Sequence, residues 1–443
     1  MLPFQTIDGS VTAPQGFKAA GVFCDIKRLG TGKGSEKGPK RDLALIVSET
    51  PAAVAGTFTT NRIRAASVKL CVERVARGVA RAIVANSGNA NACTGRQGLR
   101  DAQAMAEAVA EACCAEKISP RDVLVASTGR IGVSLPMPQV KEGIKQAARL
   151  LGAAPENARN ATEAIMTSDT RPKEIAVEIE LGGHAVRLGG ICKGAGMIQP
   201  GMSPTGARPA LRAPHATMLC FLTTDAAVEP RFLQAALNRA VAQSFNRITV
   251  DGDMSTNDTV LILANGRAGN LRLNPRLRDR WKFQAALESV TLELAKKIVL
   301  DGEGVSRFVA VRLAGAKTSA QADAAARAVA NSALVKTSWC GGDPNWGRIL
   351  CALGYSKAAV TESKIDVGYS LPGAGDVLYS LKQGRPTGAS YGDLCKISTA
   401  AAFDLHIHLH LGRHCALIYS ADLTESYVDF NKGDITDPAS LGG

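Results

Sequence analysis

Aromatic residues make up only 5% of this 443-residue chain. No apolar run approaches the ~18 residues that a membrane-spanning helix needs; runs such as Leu43 to Val47 and Val260 to Ala264 are strand-sized. No membrane partner is expected, and the protein is expected to be soluble. The opening MLPFQTIDGSVTAPQGF lacks early arginines and an apolar h-region, so neither a transit peptide nor a secretion signal is read there. The eleven cysteines contain no CxxC pair and no regular spacing, the neighbours Cys113 and Cys114 included. They read as small core hydrophobes in a reducing cytoplasm, which sets the expected localisation. The net charge of +12 is spread over scattered sites such as Lys27-Arg28, Arg280 to Lys282 and Lys296-Lys297, without a dense basic cluster interleaved with aromatics. That distribution excludes a nucleic-acid partner and favours an anionic small substrate held by one or two fixed cations.

Metal and phosphate signatures are missing as well. The turn DGDMSTND has carboxylates at a spacing faintly like a calcium loop, but its glycine and terminal acid are wrong for an EF-hand. His406, His408 and His410 alternate onto one face of an expected strand, with His414 the nearest fourth, a set poorly able to close a tetrahedron. They read as an exposed face, and no metal and no bound cofactor are expected. The segment NSGNANACTG (Asn86 to Gly95) matches neither GxGxxG nor the P-loop; it reads as a tight turn needing left-handed backbone angles.

What is present is a large alternating α/β pattern. Apolar residues at 46% against 21% charged supply a sizeable core. The length argues for two domains, or one large one with an appended subdomain. Strands are expected at Leu43 to Val47, Thr57 to Asn61, Ser67 to Glu73, Ala80 to Asn86, from Val123, at Glu174 to Leu181 and from Met218. Leu29 to Arg41 reads as a solvated hairpin loop. Helices are expected at Asp101 to Glu116, Lys141 to Leu151, Asn160 to Met166, Arg231 to Ser244, Phe283 to Asp301 and Ala320 to Ser332, and FNRITVDGDMSTNDTVLILANG reads as a turn between two strands. A main domain at 1–300 is expected, with the tail 412–443 returning to it, and a smaller α/β domain at 301–411.

One stretch carries most of the chemistry: Lys193 to Thr224, KGAGMIQPGMSPTGARPALRAPHATMLCFLTT. A lysine on a glycine-broken turn leads through a Gly/Pro/Arg-rich loop to Thr217, a hydroxyl at the head of a β-prone run. Read whole, KGAGMI, HATML and FLTTDA resemble the signature of the ornithine acetyltransferase family, also called glutamate N-acetyltransferases. The resemblance extends to G-x-VTAP-x-GF, NSGNANACTG, STGRIGVSLPM, VDGDMSTND, GDPNWGRIL and the tail from Ser420, nearly the whole chain in family order.

The resemblance implies a layered α/β sandwich of the N-terminal-nucleophile amidase/ornithine acetyltransferase type with a second, smaller α/β domain. It implies self-cleavage between Ala216 and Thr217 into an α chain 1–216 and a β chain 217–443, assembled as a heterotetramer of two α and two β chains. Thr217 is then the nucleophile, its freed α-amino group the base, and Thr128 and Gly129 the oxyanion hole. Thr167, Lys193, Glu303, Asn431 and Thr436 fall on substrate-binding positions. The substrates implied are N-acetylornithine and glutamate, in arginine biosynthesis. Use of acetyl-CoA as a co-substrate is left open, and an aminopeptidase or amidase of the same fold is the alternative. Ser203 to His215 is an insertion relative to the family, cheap as a loop because closure entropy grows slowly with length.

Overall fold

Apolar residues that run without alternation need cover on both faces of a sheet, and the central strands here receive it. The computed structural model describes residues 4–27, 40–207 and 218–432. Two compact units result. The first takes in the described residues up to Asn246 together with Asp253–Ile298; the second comprises Arg247–Gly252 and Val299–Lys432.

In the first unit, β1 (Phe4–Ile7), β2 (Phe17–Val22), β3 (Leu43–Thr59), β4 (Val79–Asn89), β5 (Val123–Arg130), β6 (Lys173–Leu181), β7 (His184–Lys193), β8 (Met202–Ser203), β9 (Leu219–Thr224) and β10 (Thr259–Ala264) form one sheet. The order is β1-β6-β7-β9-β10-β3-β4-β5, with β2 and β8 also paired to β3. Leu43, Leu45 and Val47 point into a core shared with α2 (Gly95–Ala112) and α3 (Met137–Arg149). Ala44 and Ile46 point the other way, into a core shared with α1 (Ala66–Val75) and α4 (Pro155–Ile165). The layered α/β expectation holds because period-2 side chains of one strand feed two helix layers.

Several expectations are corrected. Ser67 to Glu73 is not a strand but part of α1. Val68, Cys71, Val72 and Val75 recur at helical spacing and pack as one stripe against the core, which overrides local β propensity. The helix expected from Asp101 begins at Gly95 and stops at Ala112, where Cys113 leaves helical angles. Residues before Asp253 do not pair as the first of two flanking strands; Phe245–Arg247 is a short 3-10 turn and Ile248 makes one isolated bridge, to Tyr419. The remaining helices, including α5 (Pro230–Gln243) and α6 (Arg280–Leu300), lie within a few residues of expectation. Most of the expected loop at Leu29 to Arg41 and of the Ser203 to His215 insertion lies outside the described residues.

The second unit carries a six-stranded sheet, β11 (Phe308–Ala316), β12 (Asp366–Ser370), β13 (Leu378–Lys382), β14 (Arg385–Pro386), β15 (Ala402–His408) and β16 (His414–Ala421), ordered β14-β13-β12-β15-β11-β16. Helices α7 (Ser319–Asn331), α8 (Ala333–Cys340), α9 (Trp346–Gly354), α10 (Tyr391–Ser398) and α11 (Glu425–Phe430) complete it. The tail through Lys432 belongs here rather than to the main domain. β16 pairs antiparallel with β11, Phe308 opposite Ala421, and sends Ala416 and Ile418 into this unit's core. Trp346 of the GDPNWGRIL run packs against the same core. His410 is not on the strand with His406 and His408: β15 ends at His408, and His410 takes a left-handed φ of 50° to reach Asp366 at 2.8 Å. Among the described residues no group of three or more His, Cys, Asp or Glu side chains could hold a metal, and no helix is long and apolar enough to cross a membrane.

Trp339 of α8 is 1% exposed and meets Phe403 edge-on at 6.4 Å, so it anchors this second core. Trp339→Ala should destabilise the protein by about 3–5 kcal/mol, read as a lowered midpoint in urea unfolding; an unchanged midpoint would show that the anchor lies elsewhere.

Candidate active site

A threonine at the head of a strand is positioned by whatever holds the first residues of that strand. Ala216 and Thr217 lie outside the described residues, as does Thr436, so the site is built from their described neighbours. Met218 is buried, and its backbone N–H donates to Asp258 Oδ1 at 2.5 Å while its carbonyl accepts from Thr259 N–H at 3.0 Å. These contacts follow from the parallel pairing of β9 with β10, in which Leu219 faces Thr259. On the other side of β9, Lys193 ends β7 directly opposite Leu219. The lysine and Leu219, two residues after Thr217 in the chain, are thereby brought together by strand pairing.

The next residue along, Asn257, reaches the expected oxyanion corner. Its side-chain amide donates to the carbonyls of Ser127 at 2.6 Å and Ala90 at 2.7 Å. Thr128 is buried at 1% exposure and Gly129, beside it, is exposed. The parallel ladder between β4 and β5 is irregular at Gly88 and Asn89, the local disruption typical of a bulge next to a site. Gly129 sits at φ 130° and Gly88 at φ 99°, and a Cβ on Gly129 would stand 2.3 Å from the carbonyl carbon of Gly88. Only two glycines let these backbones approach so closely. The turn after Gly88 takes the left-handed angles expected of it, at Asn91, Cys93 and Gly95. Asn89 fastens it by donating to the carbonyls of Val133 and Ser134, both at 3.1 Å.

Thr167 and Lys193 meet through Asp169. The carboxylate of Asp169 accepts from Thr167 N–H at 3.0 Å, from Gly194 N–H at 2.7 Å and from Lys173 Nζ at 2.6 Å, and Lys193 Nζ lies 3.9 Å away. All three charged side chains are almost fully buried. Burial pushes the Asp169 carboxyl up, but the ammonium of Lys173, then that of Lys193, and the Gly194 N–H outweigh it and hold its pKa well below the usual carboxylate range.

In the second unit, Glu303 and Asn431 are brought together although 128 residues separate them: Asn431 Nδ2 donates to Glu303 Oε2 at 2.9 Å and to the Tyr427 carbonyl at 2.9 Å. Thr424 Oγ1 closes the same turn by donating to the Gly304 carbonyl at 2.6 Å. A surface cavity of about 440 Å³ lined by Phe4, Gln5, Glu178, Ile179, Glu180, Gly183 and Ala185 contains none of the expected site residues.

Sequence reasoning assigned no role to Asp169, Asn257 or Asp258. The signals were present: an aspartate four residues before a lysine inside TSDT, and an Asn-Asp pair next to an apolar strand. Since the folded-state pKa of Asp169 is depressed, its contribution to stability is present at neutral pH and is lost as pH falls below the unfolded carboxylate value of about 3.9. Asp169→Asn leaves Lys173 buried without its counter-charge and should cost about 3–5 kcal/mol at pH 7. The gap to the parent protein should narrow in urea unfolding at pH 3, and a constant gap between pH 7 and pH 3 would contradict this electrostatic account.

Comparison with known proteins agrees with the motifs. The model of the ArgJ family matches residues 18–434. The arginine biosynthesis bifunctional protein ArgJ of Symbiobacterium thermophilum is 46% identical over 423 residues, covering 96% of this chain and 98% of its own. The glutamate N-acetyltransferase of Methanocaldococcus jannaschii is 43% identical over 432 residues, again covering 96% and 98%. Among solved structures, the ornithine acetyltransferase of Mycobacterium tuberculosis complexed with ornithine aligns with a TM-score of 0.41 at 37% identity, over 45% of this chain and 100% of that one. Matched over residues 18–434, this chain belongs to the ArgJ family.

Proposed function

We propose that the chain is a glutamate N-acetyltransferase of arginine biosynthesis, moving the acetyl group of N2-acetylornithine to glutamate through an acetyl ester on Thr217. The observation that carries this reading is the 43–46% identity, across 96% of the chain, to relatives named for that activity and pathway. Those names favour acetyl transfer over the aminopeptidase or amidase alternative.

The chemistry follows from residue type. A threonine hydroxyl is a weak nucleophile near neutral pH and needs an adjacent base; an α-amino group, with a reference pKa of about 7.7–8.0, supplies one once the Ala216-Thr217 bond is cut. Thr217 Oγ attacks the acetyl carbonyl, its amine takes the hydroxyl proton, and the developing oxyanion is received at the Thr128–Gly129 corner. Collapse expels the α-amine of ornithine, which takes the proton. Glutamate then enters, its α-amine attacks the threonyl ester, and the same steps run in reverse to release N-acetylglutamate. Asp258 holds the backbone at Met218, the residue that follows Thr217 in the chain. Thr167 and Lys193 bind substrate, and Glu303, Asn431 and Thr436 complete substrate recognition, a carboxylate suiting the side-chain amine of ornithine. Cleavage leaves an α and a β chain, assembled two and two, in the cytoplasm. The name "bifunctional" borne by the bacterial relatives supports acetyl-CoA as a second donor, with no resident cofactor.

Purified protein given N-acetylornithine and glutamate should form N-acetylglutamate and ornithine in equal amounts; deacetylation without transfer to glutamate would favour the amidase. Intact mass and N-terminal sequencing should find two chains, the second starting at Thr217, whereas Thr217→Ala stays whole and inactive. Thr128→Ala should lose on the order of 10²–10³ in kcat; full turnover in that variant would remove the oxyanion assignment.

A further inference from the structure

Lys27 lies against Gly88: a Cβ on Gly88 would stand 2.9 Å from Lys27 Cγ and 3.1 Å from Lys27 N. The stem of Lys27 therefore packs against Gly88, whose strand partner is Gly129 of the expected oxyanion corner. Its placement is built, not incidental. Asp42, fully buried, accepts from the N–H groups of Cys24 at 2.7 Å, Ile26 at 2.7 Å and Lys27 at 3.0 Å, which fixes the chain leading into the lysine. The Asp42 carboxylate is thus occupied by backbone donors, and Lys27 Nζ itself donates to the Arg41 carbonyl at 2.8 Å. Among the described residues, Lys27 forms no ion pair. A half-buried ammonium facing a neutral carbonyl has spare capacity for an anion.

We propose that Lys27 is a second fixed cation of the acyl-transfer site, placed to receive the α-carboxylate common to the N-acetylated donor and the amino-acid acceptor. This rests on the acetyltransferase reading. The carboxylate is singled out by bonding distance: it is attached to the carbon that bears the reacting nitrogen, so a cation packed against the strand partner of the oxyanion corner meets that group before any side-chain terminus. Both half-reactions present the same α-carboxylate in the same place, which allows one cation to serve both. Lys193 stands 3.9 Å from the Asp169 carboxylate and is paired with it, whereas Lys27 Nζ is hydrogen-bonded to a neutral carbonyl.

The charged groups acting on Lys27 are Asp42, Asp169, Lys193 and Lys40. Burial outweighs them and brings its pKa down to about 8, with the two acids pulling it up and the two lysines pulling it further down. The sign is then fixed: Lys27 carries its charge below about pH 8 and loses it above, so affinity for the α-carboxylate falls as pH rises through that value.

The test is steady-state kinetics of the cleaved enzyme with Lys27→Met and Lys27→Arg. In the methionine variant, kcat/KM for N-acetylornithine and for glutamate should each fall by about 10- to 100-fold, the range of one hydrogen bond to a charged group, mainly through KM. In the arginine variant both should be largely restored. The parent enzyme's kcat/KM for N-acetylornithine, a donor without a free α-amine, should decline above pH 8; the arginine variant, charged throughout, should lack that decline. Unchanged KM values in Lys27→Met, a loss confined to kcat, or an alkaline decline that persists in Lys27→Arg would each overturn the assignment. The pH profile of Lys27→Arg decides the matter even if the methionine variant does not fold. Transfer to glutamate by the parent enzyme is scored in the same assay, so failure of the acetyltransferase reading registers separately from failure of the Lys27 assignment.

Discussion

A buried carboxylate at Asp169 ties together the parts of the first unit on which the chemistry depends. An isolated charge in that position would be costly, and so would either lysine alone; the group is tolerated because Lys173, Lys193 and two backbone N–H donors converge on it. The convergence is a product of strand pairing. Lys173 starts β6 opposite Cys192, so Lys173 and Lys193 emerge side by side at the same end of adjacent strands. The turn that follows α4 supplies Asp169 to neutralise them and, in doing so, fixes Thr167 beside Lys193. Lys193 in turn stands opposite Leu219, so the carboxylate sets where a cation sits relative to the first residues of β9.

A second set of contacts, made by side chains that carry no reaction themselves, sets the distance from β9 to the corner at Thr128. Asp258 grips Met218 and its neighbour Asn257 grips Ser127, so one short segment before β10 spans from the start of β9 to β5. Sites mounted on strands in this way hold their geometry better than sites on loops, because ladder hydrogen bonds and packing lock each rotamer. The glycines at 88 and 129 complete the arrangement by removing the side chains that would keep the backbones apart. The cost is conformational entropy, which this rigid surrounding lattice can offset.

Much of this was legible one residue at a time and little of it pair by pair. The run LALIV declares itself a doubly covered strand, and STG after VLVA declares a strand ending in a corner. SVKLCVE misleads because its β-branched residues suit a strand locally, while the stripe of Val68, Cys71, Val72 and Val75 that makes it a helix matters only once a core stands against it. The strand at His414–Ala421 misleads in another way: its alternation is readable, but which sheet takes it is decided by the free edge of β11. Nothing in the sequence marks the burial of Lys27 or Asp169, because burial is not a property of a residue but of its neighbours.

The sequence by itself determined the chemical inventory and the kinship: a threonine after an alanine at a strand head, a lysine on a glycine turn, a Thr-Gly corner, and motifs in an order that identifies the family. Those are local facts, carried by residue type and spacing. Only the tertiary structure decided that Asp169 joins Thr167 to Lys193, that Asp258 and Asn257 bridge two strands, that Lys27 packs against Gly88, and that Asn431 reaches Glu303 across 128 residues. Each of those depends on strand order and register, which arise from burying two faces of a sheet at once and so cannot be assigned from any single segment.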